Sequence, residues 1–141
     1  MSLGDVEFEL VENHCFTGVV SVRLKAGQIR FRGIGTKENP VGRIQTRDCQ
    51  RDEFFQVLNF LEVWQWRADY YPMDCEMMVL DGMYWSFRAA MAEKECDAGG
   101  ENAFPSFADP KKTSLEQERY GLLVGAIKRI FYPEDRYRLY P

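Results

Sequence analysis

The stretch from Val19 to Phe31 constrains the fold more than any other. Apolar and polar residues alternate on both sides of Ala26-Gly27, the mark of two strands joined by a tight turn. With Ala26 and Gly27 as the turn, Lys25 faces Gln28, Leu24 faces Ile29, Arg23 faces Arg30 and Val22 faces Phe31. Val20, Val22, Leu24, Ile29 and Phe31 then share one face, and a slip of one residue would scatter them. The same register gathers Arg23, Lys25, Arg30 and Arg32 on the opposite face. Asp5 to Leu10 alternates too, with Val6, Phe8 and Leu10 on one side and Asp5, Glu7 and Glu9 on the other. It reads as a half-buried strand.

Further along, Gly33 to Gly42 is a loop without the spacing of a phosphate-binding motif. A helix is expected from Asp48, as N-cap, to about Glu62, with Phe54, Val57, Leu58 and Leu61 at helical spacing. Trp64, Trp66, Ala68 and Tyr70 alternate with Gln65, Arg67 and Asp69 as in a strand. Cys75 to Leu80 and Met83 to Ala90 read as a second hairpin about Asp81-Gly82, and Lys94 to Gly99 as a short edge strand. Gly99 to Thr113 is a long loop. Ser114, with Gln117 as its capping-box partner, begins a second helix that Pro133 stops. Its inner face carries Leu123, Ile127 and Ile130, joined by Tyr120, Leu122, Ala126 and Phe131. Gly121 and Gly125 suggest close packing on a sheet. The order predicts an α+β fold, a mainly antiparallel sheet of about five to seven strands with two helices on one face.

At 141 residues and 45% apolar content, the chain reads as one folded domain over 1–141, with a Tyr/Arg-rich tail at 132–141. Met1-Ser2-Leu3 is compatible with a vector-derived leader. No run approaches the ~18 apolar residues of a membrane-spanning helix, and the start lacks the pattern of a secretory signal. Cys15, Cys49, Cys75 and Cys96 are widely spaced, so reduced thiols and a cytoplasmic location are expected. The net charge of −4 argues against a dedicated nucleic-acid binder. Eight Lys or Arg nevertheless fall between Ser21 and Arg51, opposed by Glu38 and Asp48 alone.

From Trp64 onward the chain resembles small, mostly bacterial, uncharacterised α+β domains. The resemblance rests on the Asp81-Gly82-x-x-Trp85 turn, the Gly100-x-Asn102-Ala103-Phe104-Pro105 loop and the closing amphipathic helix. It implies an order of strands and helices and no particular reaction. Ser106 to Thr113 is an insertion relative to that pattern.

The chemistry is sparse. His14 and Cys15 are neighbours, but adjacent side chains on an extended segment point to opposite faces, so they do not form a nucleophile–base pair. One histidine and no close cysteine pair give no metal site, and nothing calls for a cofactor. An enzymatic alternative would use a carboxylate or thiol near Asp74, Cys75 and Glu76. The preferred reading is a non-enzymatic interaction domain with a protein partner, in an immunity-type or accessory role. Self-association and anion or nucleic-acid backbone binding through the first hairpin are the rivals. Two surfaces are nominated. One is the cationic hairpin face with Arg23, Arg30 and Arg32, extended by Arg43, Arg47 and Arg51, unless Asp5, Glu7 and Glu9 pair alongside and neutralise it. The other gathers aromatics outside the periodic elements, Trp66, Tyr70, Tyr71, Phe104, Phe107, Tyr137 and Tyr140, together with Asn102.

Overall fold

The computed structural model describes residues 6–14, 18–32, 44–75 and 82–131. Its strands are β1 (Glu7–His14), β2 (Gly18–Lys25), β3 (Gln28–Arg32), β4 (Ile44–Gln45), β5 (Met83–Met91), β6 (Lys94–Glu101), β7 (Phe104–Pro105) and β8 (Thr113–Ser114). Helix α1 spans Asp48–Phe60 and α2 spans Glu118–Phe131. Six strands form one antiparallel sheet in the order β4-β3-β2-β1-β5-β6, and β7 and β8 form a separate pair. The fold is α+β, as expected.

The β2–β3 register is the one read from the alternation, Lys25 to Gln28 through Val22 to Phe31. Ala26 and Gly27 both have positive φ, 53° and 76°, which matches the twist of a two-residue hairpin. The start of α1 pins this turn. Thr46 donates its amide and its hydroxyl to the Gly27 carbonyl, at 2.8 and 2.6 Å, and Arg51 Nη1 donates to the Thr46 carbonyl at 2.9 Å.

Period-two alternation gives the sheet an apolar inner face of Phe8, Leu10, Val22, Leu24, Ile29, Phe31, Trp85, Phe87, Ala89, Cys96 and Ala98, all buried. Both helices pack there: Phe8 lies 4.6 Å from Phe54 of α1 and 6.0 Å from Phe131 of α2, and Trp85 lies 4.6 Å from Tyr120. Gln50 Nε2 of α1 donates to the Ile130 carbonyl of α2 at 2.8 Å.

Several expectations give way to tertiary structure. Asp48 is the first residue of α1 and Arg47 its N-cap, whose amide donates to Gln50 Oε1 at 2.8 Å. Instead of a strand, the Trp64 segment holds a 3-10 turn at Val63–Gln65, and its backbone pairs with the sheet through one bridge, Tyr70 to Gly100. Both edges of β5 are taken by β1 and β6, which leaves no edge for the other arm of an Asp81-Gly82 hairpin; residues 76–81 lie outside the described residues. The edge strand is longer than expected and runs to Glu101. Ser114 pairs in β8, so α2 begins at Glu118 without the expected capping box. Leu122 is half exposed, and a Cβ on Gly125 would meet nothing within 4 Å. The Gly121/Gly125 side of α2 therefore faces away from the sheet.

Candidate functional site

The outer face of the sheet alternates out of register with the core and carries most of the charge. Arg30, Arg23, Glu9, Arg88 and Asp97 stand side by side across β3, β2, β1, β5 and β6. Lys25 of β2 and Arg32 of β3 flank that row, as do Glu7 of β1 and Glu95 of β6. β1 does lie beside the cationic hairpin, as the neutralising arrangement requires. Compensation is incomplete, however. Glu9 has an arginine on each side, Arg23 and Arg88, and Arg88 also lies 3.9 Å from Asp97. Arg23 and Arg30 oppose each other directly, an unfavourable like-charge pair. Among the described residues none of Arg23, Lys25, Arg30 and Arg32 forms an ion pair.

Two open depressions meet at Arg23 and Lys25. The larger, about 570 Å³, runs over β2, β1, β5 and β6 between Glu7, Glu9, Arg88, Glu95 and Asp97. The smaller, about 320 Å³, follows the hairpin and is lined by Arg23, Lys25, Ala26, Gln28 and Arg30. The cationic face is smaller than expected. Arg51 is buried, its guanidinium committed to Thr46 and Asp48, and so does not extend it. Arg47 lies at the exposed start of α1, and Arg43 is outside the described residues.

The aromatic surface divides differently from its sequence reading. Trp66, Tyr70 and Phe104 are core residues. Trp66 donates its indole N–H to the Leu61 carbonyl at 3.0 Å and meets Trp85 edge-on at 6.0 Å. The Tyr70 hydroxyl donates to the Pro110 carbonyl and accepts the Arg67 amide at 2.8 Å; burial pushes this phenol above its ordinary value. Phe104 stacks on Trp85 at 6.0 Å. Hydrogen bonds to loop backbone take Trp66 and Tyr70 inside, and stacking on Trp85 and Tyr120 takes Phe104. Tyr71 and Phe107 are exposed, Phe107 beneath the Arg119 guanidinium at 5.1 Å. Tyr137 and Tyr140 lie outside the described residues.

Asn102 closes a latch between the end of β6 and the start of β5. Its Oδ1 accepts the Met83 amide at 2.9 Å, and its own amide donates to the Met83 carbonyl at 2.9 Å. Trp85 Nε1 donates to the Ala103 carbonyl at 2.8 Å. Gly100 lies so close beneath that a Cβ there would sit 2.4 Å from that oxygen. Asp74 and Cys75 fall on a 3-10 turn, Pro72–Cys75, and Glu76 lies outside the described residues.

Sequence reasoning missed a polar cluster at the rim of the inner face. Glu12 falls in register with the core residues of β1, opposite Trp85. One of its oxygens accepts the Tyr120 hydroxyl at 2.5 Å, and the other lies 3.1 Å from His14 Nε2. Tyr120 is fully buried, and burial beside the Glu12 carboxylate drives its phenol well above the ordinary range. The signal was the apolar–polar alternation of β1, which continued past Leu10 would have put Glu12 on the core side. The arrangement satisfies a buried hydroxyl and leaves an imidazole at the rim. Arg119 was also missed. It is buried and donates to the carbonyls of Leu61 and Ser106 at 2.9 and 2.8 Å, tying the long loop to the end of α1.

Among the described residues no group of three or more His, Cys, Asp or Glu is placed to hold a metal ion, and no helix is long and apolar enough to cross a membrane. No protein-family model matches this chain, and no curated protein matches it.

Proposed function

We propose that this chain is a non-enzymatic interaction domain that receives a protein partner on the outer face of its sheet, in an accessory or immunity-type role. One observation carries the reading. Four cations share the outer face of β2 and β3 with no ion-pair partner among the described residues, while both helices cover the opposite face. Such a surface steers and orients a partner of complementary charge. The reading takes the compartment to be the cytoplasm, where Cys49 and Cys96 remain free thiols.

Partner capture from the native cell, followed by mass spectrometry, tests the face as a whole. The wild-type chain is compared with an Arg23→Glu/Arg88→Glu variant, altered at two exposed outer-face positions of β2 and β5. The expected result is a partner retained by the wild type and depleted at least about tenfold by the variant, a change of ~1.4 kcal/mol in affinity. Identical recovery from two equally well folded proteins overturns the reading.

A further inference from the structure

We infer that the partner docks an extended acidic segment, with carboxylates at every second position, along β2 and β3. This rests on the interaction-domain reading and names the chemistry it recognises.

Charge comes first. Neither β2 nor β3 contains an acidic residue, and Arg23, Lys25, Arg30 and Arg32 all point outward. The carboxylates nearest in the sheet, Glu7 and Glu9, belong to β1, and Glu9 is shared with Arg88. An anion seated between Arg23 and Arg30 would convert their repulsion into two attractions.

Spacing comes second. Arg23 and Lys25 are two residues apart on one strand, and Arg30 and Arg32 two apart on its neighbour, so each pair repeats at about 6.6–6.8 Å. A second extended chain presents alternate side chains at that same repeat. The shallow trough of about 320 Å³ along Arg23, Lys25, Gln28 and Arg30 gives such a segment its bed.

Width comes third and separates an acidic peptide from a nucleic-acid duplex. Two strands span only about 5 Å between axes, and the next strand lies another ~5 Å away. That strand carries Glu7 and Glu9, and beyond it come Glu95 and Asp97 of β6. A duplex, whose major groove alone is about 12 Å across, would rest its phosphates on these carboxylates. A single extended peptide fits between them and the hairpin edge.

The test is fluorescence anisotropy with a labelled alternating Asp-Thr octapeptide at low salt. The expected result is saturable binding by the wild type. Arg30→Glu/Arg32→Glu should weaken it at least about tenfold, the milder Arg30→Gln/Arg32→Gln should weaken it less, and Glu95→Lys/Asp97→Lys should leave it unchanged or tighter. Circular dichroism shows that each variant is folded. The inference is overturned if the peptide does not bind, if the Arg30/Arg32 variants bind normally, or if a short DNA duplex displaces the peptide from the hairpin at equal concentration. If the captured partner depends on Arg23 and Arg88 yet the peptide neither binds nor competes with it, the acidic segment is wrong and the interaction domain stands. If capture is indifferent to the outer face, the wider reading fails as well.

Discussion

Trp85 and Arg30 stand on opposite faces of one sheet and have opposite relations to their surroundings. The Trp85 ring is enclosed by Trp66, Tyr70, Phe104 and Tyr120, and its single N–H is answered by the Ala103 carbonyl. Arg30 looks across at Arg23, and among the described residues no carboxylate answers it. The aromatic cluster is thus a completed part of the core, whereas the cationic hairpin is stable without being satisfied. Abundant large rings in a loop are weak evidence of a binding surface. Like charges held in register by a tight turn are stronger evidence, because among the described residues no ion pair relieves the conflict.

The comparison can be broken most forcefully at Trp85. Trp85→Ala should cost about 3–5 kcal/mol, the usual loss for emptying a buried aromatic site, read from the midpoint of urea unfolding. A loss below about 1 kcal/mol would show that the aromatic end is not a packed core. At the latch, Asn102→Ala leaves the Met83 amide without its side-chain acceptor and sets an alanine at a φ of 52°. It should cost about 1–3 kcal/mol, with Asn102→Gly recovering the backbone part.

Titration probes the same contrast more gently. Burial pushes the Cys96 thiol up to about 12 and the Tyr120 phenol well above its ordinary range. Both groups keep their protons in the folded chain and lose them more easily in the unfolded one. Their contribution to stability is therefore complete below the ordinary thiol value of about 8.5 and drains away as pH rises toward the folded values. Thermal midpoints measured from pH 7 to 11 should be flat and then fall, and Cys96→Ala should delay the onset of the fall. A midpoint that rises above pH 9 contradicts this burial.

The smallest effect is the sharpest in sign. Arg30→Glu places a carboxylate opposite Arg23 and should raise stability by about 0.2–1 kcal/mol while weakening peptide binding. One substitution that strengthens the fold and weakens the interaction would separate a recognition surface from a structural one. A destabilising Arg30→Glu would mean that Arg30 serves the fold.

Legibility in the sequence followed the range of the forces involved. The β2–β3 hairpin was readable residue by residue, because period-two alternation and a turn that accepts positive φ are local. So were the inner faces of both helices, since Phe54, Leu58, Leu123 and Ile127 announce themselves by spacing. The Trp64–Tyr70 segment was misread because its alternation is real but a local 3-10 turn takes its start, and the partners that fix its end are distant. The Tyr70 backbone bridges to Gly100, and its hydroxyl is held by Pro110. The partner strand of β5 was missed for the same reason: β1 lies about 70 residues earlier in the chain. The cationic face of the candidate site was legible down to Arg23–Arg30. Its limits were legible in part: β1 with Glu7 and Glu9 was expected alongside, whereas the sheet order was needed to show that β6 adds further carboxylates and the packing to show that Arg51 turns inward.

That sheet order has a consequence for synthesis. β1 can pair with β2 as soon as the first hairpin emerges, but its other edge waits for β5. At roughly 5–20 residues per second, a delay of about 70 residues leaves that edge open for on the order of 4–14 s. During this time the nascent chain offers a ready template for pairing with its neighbours. Glu7, Glu9 and Glu12, spaced along the waiting strand, put negative charge on both of its faces, so two such chains repel each other until Met83–Met91 arrives.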